Sequence, residues 1–179
     1  MEAPPLDWPA RLGDLFAQLV RVSLSDRVVA ALAEHQVTYP QYEAMRYIQR
    51  HPAPTVGDLS QGMRISYPSA TNMVARLHRK GLLRKRGLRS DRRIVRITLT
   101  PVGSKLVERV AKERALRVTT VLDAMGPYKR ARFIDALEGF IRVASCAGIA
   151  EPGDICLRCG REGNEMCPLV QAGTGHTCM

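Results

Sequence analysis

Between Ser66 and Thr100 the spacing of apolar residues changes from the period of a helix to that of a strand. Ser66 is placed as a helix N-cap with Pro68 in the first turn, where its missing N–H costs nothing. The helix predicted from there runs to Lys80 and stops at Gly81, because a left-handed residue ends a helix at least strain when it is glycine. Leu82–Gly87 and Arg93–Thr100 then read as two strands. In the second, Val95, Ile97 and Leu99 alternate with Ile94, Arg96, Thr98 and Thr100, with one apolar residue, Ile94, on the polar side. Upstream, Thr55 and Asp58 have capping-box spacing and open a short helix ending near Met63. Two short helices followed directly by a hairpin make a helix-turn-helix with a wing. The fold class expected is mainly α with a small β-hairpin wing.

The flanks are helical. Asp7 and Pro9 mark a start. Apolar residues recur at Leu12, Leu15, Phe16, Leu19 and Val20, then at Val28, Val29 and Leu32. This predicts one long amphipathic helix over Pro9–Glu34, bent near Ser23–Ser25. Thr38 and Gln41 repeat the capping-box spacing, and His51-Pro52 ends that helix, since the residue before proline avoids helical geometry. Thr100-Pro101 opens a helix to about Ala124. Gly126-Pro127 breaks it and starts another, ending near Ser145. The expected organisation is 1–36 for an N-terminal dimerisation helix and 37–100 for the winged domain. Residues 101–146 would form further dimerisation helices and 147–179 a cysteine-rich tail. The flanking helices carry more apolar surface than a small winged domain can bury, which predicts a homodimer.

The charge is concentrated. Arg76–Arg96 contains ten basic residues and one acid, Asp91, so this window holds +9 of the chain's net +10. A solvated surface spreads its charge; a single basic segment is the footprint of a face that binds a polyanion. No apolar run approaches the roughly 20 residues of a membrane span. Glu2 and Asp7 do not fit a secretory leader. The expectation is a cytoplasmic protein, where the redox poise disfavours structural disulfides.

Cys156, Cys159, Cys167 and Cys178 follow the spacing C-x2-C-x7-C-x10-C, with His176 two residues before the last. A C-x-x-C pair brings two thiolates to one centre without a long loop closure. The surrounding glycines allow tight folding. Three readings stand: an iron–sulfur cluster of the [4Fe–4S] type held by four thiolates, structural zinc on the same cysteines with His176 as an alternative ligand, and unligated or redox-active thiols. Cys167-Pro168 resembles the end of a ferredoxin motif, although the full spacing is not a ferredoxin's. Cys146 is expected to be a small buried residue at a helix end. No paired-histidine, carboxylate-dyad or phosphate-loop pattern accompanies the cysteines, and the chain is not expected to be an enzyme. His35, His51 and His78 are scattered and read as surface or helix-end residues.

The stretches TVGDLSQGM, SYPSATNMVARLHRKGLL and RSDRRIVRITLTPVG, from Thr55 to Gly103, resemble the MarR family of bacterial regulators. Asp91-Arg92-Arg93 followed by Leu99-Thr100 and Gly103 carries most of the likeness, and the cysteine-rich tail lies outside the family's usual pattern. The resemblance implies a homodimer held by its N- and C-terminal helices, with a recognition helix in the major groove and wings along the adjacent minor grooves. Carried onto this chain, the recognition helix is Pro68–Lys80, with Ser69, Thr71, Asn72 and Arg76 as candidates for base or phosphate contact. Arg93 would enter the minor groove, with Asp91 orienting it. Arg79, Lys80, Arg86, Arg89 and Arg92 complete the candidate set.

The function expected is a DNA-binding regulator, read as a repressor, on an inverted-repeat operator in double-stranded DNA. Its affinity would be tuned by the iron–sulfur centre. One alternative is a regulator with a structural zinc tail and a small aromatic effector bound between the dimer arms and the wing domain. Another is an iron–sulfur electron carrier whose winged helix binds protein; the charge concentration argues against it.

Overall fold

The computed structural model describes residues 7–32, 36–87, 95–149 and 167–169. The expected N-terminal helix is divided in three: α1 (Trp8–Gln18), a π-helical run (Leu19–Asp26) and α2 (Arg27–Leu32). The bend anticipated near Ser23–Ser25 is therefore a change of helical winding. Two arginines from farther along the chain serve the carbonyls there. Arg114 Nε donates to the Leu24 carbonyl at 3.0 Å and Arg117 Nη1 to the Ser23 carbonyl at 3.3 Å. Asp7 occupies the N-cap position without a side-chain capping bond. Its carboxylate instead lies 3.9 Å from the Arg11 guanidinium.

Next come α3 (Tyr39–Arg50), α4 (Val56–Met63) and α5 (Tyr67–Arg79). Each starts where the sequence places a cap. The Thr38 N–H donates to Gln41 Oε1 at 3.3 Å. The Asp58 N–H donates to Thr55 Oγ1 at 3.1 Å, and Asp58 Oδ2 accepts the Thr55 N–H at 2.8 Å. These bonds from the Thr55 backbone and hydroxyl stabilise the anion and hold the Asp58 carboxyl below its usual range. A depressed folded pKa means that the stabilisation is present at neutral pH and is lost as pH falls through that pKa. His51 ends α3 and stacks on Tyr47 with ring centroids 3.9 Å apart.

The wing is β1 (Leu83–Gly87) paired antiparallel with β2 (Val95–Leu99), with Leu83 opposite Leu99, Arg84 opposite Thr98 and Lys85 opposite Ile97. The expected alternation holds. Leu83 and Ile97 enter the core, while Arg84, Arg86, Arg96 and Thr98 lie on the other face. The chain before α4 adds a short edge, where the Ile97 N–H donates to the Pro54 carbonyl at 2.9 Å. The core gathers Tyr42, Met45, Leu59, Val74, Leu77, Leu82, Leu83 and Ile97 around Val28 and Val29 of α2.

From Thr100 the chain enters α6 (Pro101–Ala124) and then α7 (Pro127–Cys146). The first half of α6 closes the core through Leu106, Val107 and Val110. Beyond it, Leu116, Val121 and Phe140 are exposed. Neither α1 nor α7 has a buried residue, although Phe16 and Phe133 meet edge to face at 6.3 Å.

One expectation is overturned in this region. Cys146 is exposed and disulfide-bonded rather than a small buried residue. The cause is its position. It ends a helix that packs into no core within the single chain, so helical periodicity alone was a poor guide to burial there.

Candidate nucleic-acid interface

Helix α5 divides cleanly by period. Ala70, Val74 and Leu77 are buried, while Ser69, Thr71, Asn72, Arg76 and Arg79 are exposed on the rest of its circumference. The buried set anchors the helix on the domain, and residues three and four apart place Asn72, Arg76 and Arg79 along one stripe. Among the described residues, these three side chains make no hydrogen bond or ion pair. Their amide and guanidinium donors are free for a ligand.

The hydroxyl groups are more committed. Ser66 Oγ receives the Ser69 N–H at 3.3 Å, and the two serine hydroxyls are 2.8 Å apart. Thr71 Oγ1 donates to the Tyr67 carbonyl at 2.9 Å, so its proton is spent and only acceptor capacity remains. Lys80 is half-buried and tied to the fold: Nζ donates to the Gln36 carbonyl at 2.8 Å and to Gln41 Oε1 at 3.2 Å. Arg96, part of the basic window, is also engaged, with Nη1 donating to the Ala53 carbonyl at 2.9 Å. The +9 window thus mixes unengaged cations with others that brace the domain.

On the wing, Arg84, Lys85 and Arg86 are exposed. Arg89, Asp91, Arg92 and Arg93 lie outside the described residues. The sequence reading passed over Tyr67, which stands at the first helical position beside Thr71 and is 60% exposed. An aromatic residue directly after an N-cap was the available signal.

In the tail, Cys167 is a free, half-buried thiol, and Leu169 is buried. Cys156, Cys159, Cys178 and His176 lie outside the described residues. Among the described residues, no cluster of three or more His, Cys, Asp or Glu is disposed to hold a metal ion. No helix among them is long and apolar enough to cross a membrane.

The sequence pattern of the MarR family matches residues 35–94. An uncharacterised HTH-type transcriptional regulator of Bacillus subtilis (strain 168), YsmB, is 28% identical over 46% of this chain and 57% of its own length. The organic hydroperoxide resistance transcriptional regulator of the same organism is 32% identical over 41% of this chain and 50% of its own. The chain therefore spans little more than half the length of these relatives. Among solved structures, RV1404 from Mycobacterium tuberculosis superposes with a TM-score of 0.68 at 21% identity, covering 79% of this chain and 95% of that one. Streptococcus pneumoniae FabT, solved in complex with DNA, gives 0.62 at 17% identity over 75% and 93%. At these identities the structural likeness speaks for the fold.

Proposed function

We propose that the chain is a member of the MarR family, whose pattern matches residues 35–94, and that it is a dimeric transcription regulator that binds an inverted repeat in double-stranded DNA. The observation that carries this reading is the exposed stripe of Asn72, Arg76 and Arg79 on a helix seated by Ala70, Val74 and Leu77. Asn and Arg are the side chains whose geometry pairs bidentately with adenine and guanine edges in the major groove. The basic wing would follow the minor groove, with Arg93 drawn to its negative potential. The named relatives, both transcriptional regulators, support the same role.

Dimerisation is supported by two helices that have no fully buried residue within one chain and by exposed Leu15, Phe16, Phe140 and Val143. Two copies joined there would present paired α5 helices, which must lie about 34 Å apart to enter successive major grooves. Light scattering at micromolar concentration should give twice the chain mass. Duplexes selected from genomic DNA should bind with log K falling against log salt at a slope of about −0.9 per phosphate neutralised. A folded monomer, or binding indifferent to salt, contradicts the reading.

For the tail, the proposal is a cysteine-ligated centre on Cys156, Cys159, Cys167 and Cys178, formed when the disulfide at Cys146 is reduced, an iron–sulfur cluster in preference to zinc, whose loss alters operator affinity. Its support is the spacing of the thiols and the free Cys167. Serine substitution at each of the four positions should lower the metal content of anaerobically purified protein, while Cys146→Ser retains it. Inorganic sulfide in the sample distinguishes the cluster from zinc. Equal operator affinity of holo and chelated protein would leave the centre structural.

A further inference from the structure

The π-helical run Leu19–Asp26 is 8 residues long, whereas π-helical winding is mostly a single turn and is frequent at functional sites. It joins α1, which has no buried residue, to α2, whose Val28 and Val29 enter the core. The direction in which α1 leaves the winged domain is therefore set within this run. An i→i+5 pattern turns less per residue than an α-helix, so any relaxation toward α-helical winding would re-aim α1.

The run is held from two other helices. From α6, Arg114 Nε serves the Leu24 carbonyl and Arg117 Nη1 the Ser23 carbonyl. A charged donor makes a stronger bond to a carbonyl than a neutral one. From α3, the Tyr39 hydroxyl bonds Ser25, the buried residue of the run. The two arginines are themselves oriented. Glu43 lies 3.9 Å from the Arg114 guanidinium and 2.8 Å from that of Arg46. Arg114 also stands over the Tyr39 ring, 5.8 Å from its centroid. Arg117 Nε donates to Glu113 Oε1 at 2.8 Å. Both arginines stand where α6 leaves the core, after Leu106, Val107 and Val110 and beside exposed Leu116 and Val118.

We propose that Arg114 and Arg117 are positioning residues for DNA binding: by pinning the carbonyls of the π-helical run they fix the angle of α1, and with it the half-site separation that the dimer accepts. The inference rests on the dimeric DNA-binding reading above. With 11 residues, α1 is about 16 Å long. A tilt of about 10° at its base displaces its far end by about 3 Å, close to the rise of one base pair. One base pair also turns a half-site by about 35° around the duplex, so a joint free to swing would blunt the choice of spacing. The residues presented by α5 would be unaltered.

The test measures binding of the full chain to the selected operator, to duplexes with one or two base pairs inserted or removed between the half-sites, and to a single half-site. The parent should prefer the selected spacing by about ten-fold or more over a one-base-pair change, and Arg114→Gln/Arg117→Gln should bring the two within about three-fold, an effect in the usual range of coupling between separate sites. Arg117→Gln alone, at a side chain 39% exposed, folds without strain and should flatten the profile in the same direction. Lys112→Gln removes the same charge from an exposed position of α6 and should keep the parent's profile. Without DNA, hydrogen exchange over residues 19–26 should quicken in the arginine variants while that of α5 is unchanged. An equal loss on every duplex, the single half-site included, overturns the proposal, as does unchanged exchange over residues 19–26. A parent with no optimum overturns the dimeric DNA-binding reading and this proposal with it. A sharp optimum that the variants keep overturns this proposal alone.

Discussion

Gly103→Ala is expected to destabilise the protein by about 2–3 kcal/mol, the upper part of the range for overpacking a closed site. A Cβ at Gly103 would overlap the carbonyl oxygen of Leu82, and the Met45 side chain closes in at 3.4 Å. The obstacle is backbone, so no rotamer change relieves it. The same carbonyl accepts the Thr100 N–H at 3.0 Å, so moving it also disturbs the bond that seats the start of α6 against the end of α5. For a chain of this size the thermal midpoint should fall by roughly 5–10 °C. Gly57→Ala is the internal control. Its Cβ would meet only Thr55 Oγ1 at an ordinary 3.5 Å. Helix propensity should then make it neutral or stabilising by up to about 1 kcal/mol. Denaturant midpoints of the two variants measured side by side check the difference, and a Gly103→Ala midpoint at or above that of the parent would show that α6 is not seated on Leu82 in this way.

The double variant Asn72→Ala/Arg76→Ala should lose about 100-fold or more in operator affinity at fixed salt. Each bidentate base contact contributes about 1–3 kcal/mol of discrimination, and these two side chains sit four apart on one exposed stripe. Stability should change little, because both residues are exposed and neither holds another described side chain. Binding to a scrambled duplex should fall less than binding to the selected operator, since Arg76 contributes only its charge there. Fluorescence anisotropy on both duplexes, together with the thermal midpoint, reads all three quantities. If both duplexes lose affinity equally, the stripe is a phosphate contact and base reading belongs elsewhere. Unchanged affinity for both would remove α5 from the interface.

The element order was legible in the sequence because its signals are local. Thr38, Thr55, Ser66 and Thr100 stand at the starts of α3, α4, α5 and α6, and Gly81 has the positive φ of 72° that ends α5. The strand alternation was equally local: Ile97 is buried and its neighbours Arg96 and Thr98 are exposed. Such features depend on residues three or four apart, or on adjacent ones, and a sequence displays those distances directly.

What the sequence did not separate was the basic window. Arg76 and Arg79 are unengaged among the described residues, whereas Lys80 and Arg96 bond carbonyls at Gln36 and Ala53, 44 and 43 residues away along the chain. Composition assigns all these cations alike, and only the tertiary structure decides which are spent on the fold. The same holds for the π-helical run, whose carbonyls find Arg114 and Arg117 about 90 residues later. It holds for Cys146, whose exposure follows from a helix with no core to enter. By itself, the sequence determined the winged helix-turn-helix order and the location of the positive charge. The pairing of distant groups was left to the folded chain, because a hydrogen bond depends on distances in space that local periodicity does not encode.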